Sequence, residues 1–238
     1  MQVVLGIPGM TQTRQNMLSR RNPSSMAPGQ MSVLHLPYSE EFEETLLRER
    51  IKILFISRDL RDVAVSLMYF IERSFPSHVL FPVLENLSRD ERLSVIINGL
   101  DFHKDLSDTV LANELFVAHG HGLYPNIQGF WSPFSPWITC KAACHVTFEE
   151  LSQPSPERTA ALRRIVNFLW EDLSALGIPK GMLVTQMERN INPATSPTFR
   201  AGRIGDWKSE FKAHHTAAFK SVAGQTLIDL GYESDFHW

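Results

Sequence analysis

Lys52–Phe70 reads KILFISRDLRDVAVSLMYF, and the fold turns on this stretch. Ile51–Ser57 carries Ile51, Ile53, Leu54, Phe55 and Ile56. A continuous apolar run of that length fits a central parallel strand covered on both faces. The pattern then changes. Asp59 is a good helix N-cap residue, and Asp62 stands three positions later, in a capping-box-like place. The helix is expected to run to about Arg73. Arg58 therefore falls where a strand ends and a helix begins. An anion there meets free backbone N–H groups, the positive end of the helix dipole and a guanidinium fork. Ser66 lies close to two helical turns after Asp59, so it projects from the same face and offers a hydroxyl beside the same place. The plain alternative for Arg58 is a surface ion pair with Asp59 or Asp62.

Outward from this core, strands and helices alternate. Gln2–Ile7 is an apolar run closed by Pro8-Gly9, the pattern of a buried strand and a turn. Thr13–Arg20 is expected to be a short helix and Arg21–Gln30 a loop. Glu40–Arg50 is expected to be a charged helix with Phe42, Leu46 and Leu47 as its apolar stripe. Phe75–Leu123 reads as helical and irregular. Ala142–Thr147 is a further strand, Ser155–Leu176 an amphipathic helix and Pro179–Arg189 another. Asn192–Ile204 is a polar loop, and Lys208–Leu230 the last helical region. This alternation favours a single α/β domain over residues 1–238, with a central parallel sheet flanked by helices. Ligands of such sheets bind beyond the strand C-terminal ends.

Bulk properties narrow the class. A chain of 238 residues can bury a sizeable core. A formal net charge of −3 argues against broad electrostatic binding to nucleic acid and leaves room for a local basic pocket. Two cysteines, Cys140 and Cys144, do not make a disulfide framework in a chain this long. No stretch approaches the ~20 apolar residues of a membrane span. The opening residues lack the basic start of a signal peptide. A soluble, cytoplasmic protein is the expectation.

A second segment, Thr198–Lys208, reads TFRAGRIGDWK. Taken with Arg58–Ser66, and in this order along the chain, it resembles the cytosolic-type sulfotransferases. Those enzymes move the sulfuryl group of 3′-phosphoadenosine 5′-phosphosulfate (PAPS) to an acceptor. The resemblance implies a P-loop-kinase-like sulfotransferase fold, PAPS as co-substrate and no metal. It implies that Arg58, Ser66, Arg200 and Gly202 hold the 3′-phosphate. The family's closing loop reads R-K-G before G-D-W-K, and this chain has Ala201 in place of that lysine. Weaker donor binding is the expected consequence. His35, in Val33-Leu34-His35-Leu36-Pro37, matches the family's K-T-H-L-P, whose histidine is the general base. Histidine suits that role because its ordinary pKa lies near the operating pH. The family lysine two residues earlier is Val33 here. For His35 taken alone, a structural loop histidine remains the alternative.

The first loop departs furthest. The family pattern Y-P-K-S-G-T-T-W cradles the phosphosulfate as a P-loop cradles phosphates. The corresponding residues are Ile7-Pro8-Gly9-Met10-Thr11-Gln12-Thr13-Arg14. Pro8 and Thr13 fit. Gly9 replaces the lysine, Thr11 the glycine and Arg14 the adenine-packing aromatic. The resemblance makes Thr11, Gln12 and Thr13 the phosphosulfate contacts, through backbone and hydroxyls. Arg14 is a candidate substitute cation for the missing lysine. The alternative is a site that binds nucleotide or a partner and transfers little or nothing. An ordinary nucleotide kinase is disfavoured, since no G-x4-G-K-[ST] is present.

Phe148, in VTFEEL, matches the family's strand-end Y-E-D motif, where an aromatic borders the nucleotide; core packing is the alternative. His119 and His121 form an H-x-H without a neighbouring carboxylate or cysteine, so no metal is expected there. His214 and His215 are expected at the surface. The family's dimer motif is not preserved in KSEFKAHHTA, which carries Lys212, Ala213 and Ala217. The partner expected is a small acceptor with a hydroxyl or amine. Phe130, Trp131, Phe134 and Trp137 are candidates for an apolar acceptor pocket.

Overall fold

The computed structural model describes residues 11–13, 30–32, 35, 37–74, 77–192 and 202–238. In chain order it runs β1 (Thr11–Thr13), β2 (Gln30–Ser32), α1 (Glu40–Arg48), β3 (Ile53–Ser57), α2 (Leu60–Ser74), α3 (Arg89–Asn98), α4 (Thr109–His119), β4 (Ala143–Thr147), α5 (Pro156–Phe168), α6 (Lys180–Asn190) and α7 (Ala213–Asp229), with shorter helical turns and a two-residue antiparallel strand pair, Leu100–Asp101 with Leu123–Tyr124, between. Contacts group these into two compact units, residues 1–57 with 133–202 and residues 58–132 with 203–238.

In the first unit β3 pairs in parallel with β4, Ile53 opposite Ala143 and Ser57 opposite Thr147. Side chains alternate across a strand, and each face finds its own cover. Leu54, Ile56 and Val146 pack with Leu162, Ile165 and Val166 of α5 and Leu183 and Met187 of α6. Ile53 and Phe55 pack on the other side with Leu46 of α1 and Trp137. The sheet strand expected at 51–57 is thus covered on both faces by helical elements. Ser39 caps α1, its hydroxyl accepting Phe42 N–H. Ser155 caps α5 in the same way, with Pro156 at the first helical position.

A second parallel pair joins β1 to β2, Thr11 opposite Gln30 and Thr13 opposite Ser32. This corrects the expectation for Thr11–Thr13. They form a strand, where the sequence pointed to a phosphate-cradling loop and, at Thr13, to the start of a helix. Two β-branched threonines flanking one residue suit extended backbone better than the first turn of a helix. The strand expected at Gln2–Ile7 and the helix expected after Thr13 lie outside the described residues.

In the second unit α2 is buried along most of its length, with Leu60, Ala64, Val65, Met68 and Ile71 in the core. Leu93, Ile96 and Ile97 of α3 and Phe219, Ala223 and Leu227 of α7 supply the rest. The Ser88–Glu91 capping box starts α3. The last helical region is not continuous. A turn at Trp207–Glu210 ends in extended backbone at Phe211, and α7 is kinked at Ala223.

Candidate functional site

Arg58 follows the last residue of β3 directly. Its Nη2 donates to the Arg203 carbonyl oxygen at 2.7 Å and lies 3.2 Å from the Asp62 carboxylate. Arg58 makes the i,i+4 ion pair with Asp62, and it reaches the segment that follows Gly202. Asp59 caps α2 as expected, accepting Arg61 N–H at 2.9 Å. Asp62 turns away from a capping box. Its carboxylate accepts Gly205 N–H at 2.8 Å and Trp207 N–H at 2.9 Å. Ser66 is half-buried on α2. Gly202 has φ +62°, in the region that favours glycine. Arg14, Arg200 and Ala201 lie outside the described residues.

His35 is exposed. Protein packed around part of the ring nevertheless lowers its pKa below the ordinary histidine value. Phe148 opens a short helix capped by Thr147 and is buried, which fits the core-packing alternative. Trp137 is also a core residue, edge-on to Tyr38 at 5.1 Å. Trp131 is buried, and Phe130 is 38% exposed.

Three features were not read from the sequence. Ser57 Oγ, at the end of β3, and His145 Nε2, in the middle of β4, lie 2.7 Å apart, and burial lowers the pKa of His145. Arg61 is buried, paired with Asp59 at 2.7 Å and with Glu233. Its guanidinium lies 4.0 Å from the Trp207 ring centroid and 4.5 Å from that of Trp238. Finally, His215 is buried, where a surface position was expected. Among the described residues, Asp90, His214 and His215 bring three candidate metal donors within 4.8 Å. Their chemistry does not fit a metal. His215 Nδ1 accepts Lys212 N–H at 3.1 Å, and its Nε2 lies 3.0 Å from the Asp90 carbonyl oxygen. The Lys212 ammonium already sits 2.9 Å from the Asp90 carboxylate.

No described helix is long and apolar enough to cross a membrane. The family model for the sulfotransferase domain matches residues 7–150. That span contains β1, His35, Arg58, Ser66 and Phe148. A search of curated proteins found no match. Among solved structures, mouse sulfotransferase SULT7A1 complexed with PAP matches with a TM-score of 0.58 and 17% identity, over 95% of this chain and 78% of that one. At that identity the likeness is one of fold, and it matches the α/β arrangement of a parallel sheet with flanking helices. With more than half of its length matched by the family model, the chain belongs to the sulfotransferase domain family.

Proposed function

We propose that this chain moves the sulfuryl group of PAPS to an acceptor hydroxyl or amine, as a single cytoplasmic sulfotransferase domain. The observation that carries the reading is Arg58. It leaves the C-terminal end of β3 and bonds to the Arg203 carbonyl oxygen, joining the two segments whose family counterparts hold the 3′-phosphate. In this reading Arg58, Ser66, Arg200 and Gly202 bind that phosphate. Ala201 supplies no charge, so binding is weaker than a lysine there would give. Thr11, Gln12 and Thr13 contact the phosphosulfate. His35 takes the proton of the acceptor as its oxygen or nitrogen bonds to sulfur and the bridging S–O bond breaks. A lowered pKa keeps His35 neutral at pH 7 and ready to accept that proton.

Charge grows on the bridging oxygen as it leaves, and loss of one donor there typically costs ~3–4 kcal/mol. Gly9 cannot stabilise it. Arg14 is the proposed replacement cation. A second reading, nucleotide binding without transfer, is favoured by Gly9 and by the strand geometry of Thr11–Thr13.

Calorimetry with 3′,5′-adenosine bisphosphate (PAP) against ADP tests the donor site, with Arg58→Ala as control. Binding that needs both the 3′-phosphate and Arg58 supports the proposal. No binding by the folded protein sinks it. Arg14→Ala with unchanged turnover removes Arg14 from the mechanism, and bound PAP with no transfer to any hydroxyl or amine acceptor leaves the second reading.

A further inference from the structure

The segment after Gly202 is held by two adjacent side chains of α2. The Asp62 side chain is fully buried, at 0% exposure. One of its oxygens accepts Trp207 N–H, and the other accepts Gly205 N–H and faces Arg58 Nη2. Gly205 has φ +73°, a turn that brings its own N–H and that of Trp207 to a single carboxylate. A buried charge is costly unless paired on all sides, and an apolar side chain would often be as stable. What this carboxylate supplies is geometry, because Arg58 and the 203–207 segment share it. The next residue back holds the far end of the same segment. Arg61, with 3% side-chain exposure, lies against the rings of both Trp207 and Trp238, which themselves meet edge to face with centroids 5.8 Å apart.

We propose that Asp62 is a positioning residue for the 3′-phosphate site. It sets the Arg58 guanidinium and the Arg203–Trp207 segment relative to each other, and the Trp207–Arg61–Trp238 cluster keeps that segment in place. This rests on the reading of Arg58 as a 3′-phosphate ligand. Asp62→Asn keeps the shape but turns one acceptor into a donor, which then faces another donor. Trp238→Ala leaves Asp62 intact and removes one ring of the cluster.

The test is calorimetry of PAP and of adenosine 5′-monophosphate, which lacks the 3′-phosphate, on the full chain and both variants, with thermal unfolding alongside. Asp62→Asn is expected to weaken PAP at least tenfold, about 1.4 kcal/mol, and to leave the monophosphate almost unchanged. Trp238→Ala is expected to act in the same direction with a smaller loss. If the unsubstituted chain does not distinguish PAP from the monophosphate, the donor-site reading falls and this proposal with it. If it does distinguish them and Asp62→Asn retains the difference, or loses both ligands equally, only the positioning role is overturned. Should Asp62→Asn fail to fold, Trp238→Ala decides, and an unchanged PAP-to-monophosphate ratio overturns the role.

Discussion

Arg58 reaches its ion pair and its loop through the same nitrogen, so contacts within the protein already orient its guanidinium. Hydrogen bonds between charged groups are worth ~1.5–3 kcal/mol. Arg58→Ala is therefore expected to weaken PAP by about 10–100-fold and to leave ADP affinity little changed; equal losses for both ligands would argue against a 3′-phosphate contact. His35 makes a separable prediction. His35→Ala should leave PAP affinity intact and lower transfer by ~10²–10⁴-fold. In the proposed reaction the base must be neutral, and the pKa of His35 is lowered, so the acid limb of kcat/KM should have its midpoint below about 6.5 and be flat at neutral pH. A midpoint above that value would mean that another group titrates. The strand end and the helix that carry Arg58 and Ser66 were legible because their motif is contiguous. Asp62 stood inside the same motif, yet its partners lie more than 140 residues along the chain, and spacing alone pointed to a capping box.

Helix starts proved easier to read than helix ends, because N-caps are local chemistry and C-terminal breaks depend on packing. Asp59 and Ser155 cap the helices expected after them. The helix expected to run to Leu176 instead breaks at Leu169, a residue that joins the core beside α5. The Ser88 cap predicts that Ser88→Ala costs about 1 kcal/mol, measured by denaturant unfolding. A stricter demand falls on Gly99, which ends α3 at φ +76°. A Cβ there would lie 2.6 Å from the Tyr124 carbonyl oxygen and 2.7 Å from Asn126 N, both main-chain atoms that cannot rotate away. Gly99→Ala is expected to cost ~2 kcal/mol through strain, lowering Tm by roughly 4–8 °C for a chain of this size. An unchanged Tm would show that the turn after α3 yields.

At the scale of the whole chain, β3, β4 and their helical cover were legible because continuous apolar strands and amphipathic helices repeat regularly, whereas the pairing of these two strands came from the structure. The return of Glu233 and Trp238 to Arg61 was not, since no periodic pattern marks a short polar-aromatic tail. Nor did composition reveal how the histidines are used. His145 in the first unit and His78, His119 and His215 in the second all have pKa values lowered by burial. His215 shows the mechanism most directly. Its Nδ1 must keep a lone pair for Lys212 N–H, and protonation would set a hydrogen against that donor, beside His214 and the Lys212–Asp90 pair. The sign follows from linkage. The unfolded chain takes up protons on these histidines near pH 6.5, the folded chain only below that, so the unfolded state binds more protons in between. Their contribution to stability is complete above about pH 6.5 and is lost as pH falls through the folded-state values. Tm should therefore decline from pH 7 to pH 5, before the carboxylates with lowered pKa values, Asp90 and Glu150 among them, begin to protonate. His215→Ala should cost stability at pH 7 and make that decline shallower. A Tm that holds steady to pH 5, or a slope unchanged in the variant, would show that the buried histidines do not govern the acid limit.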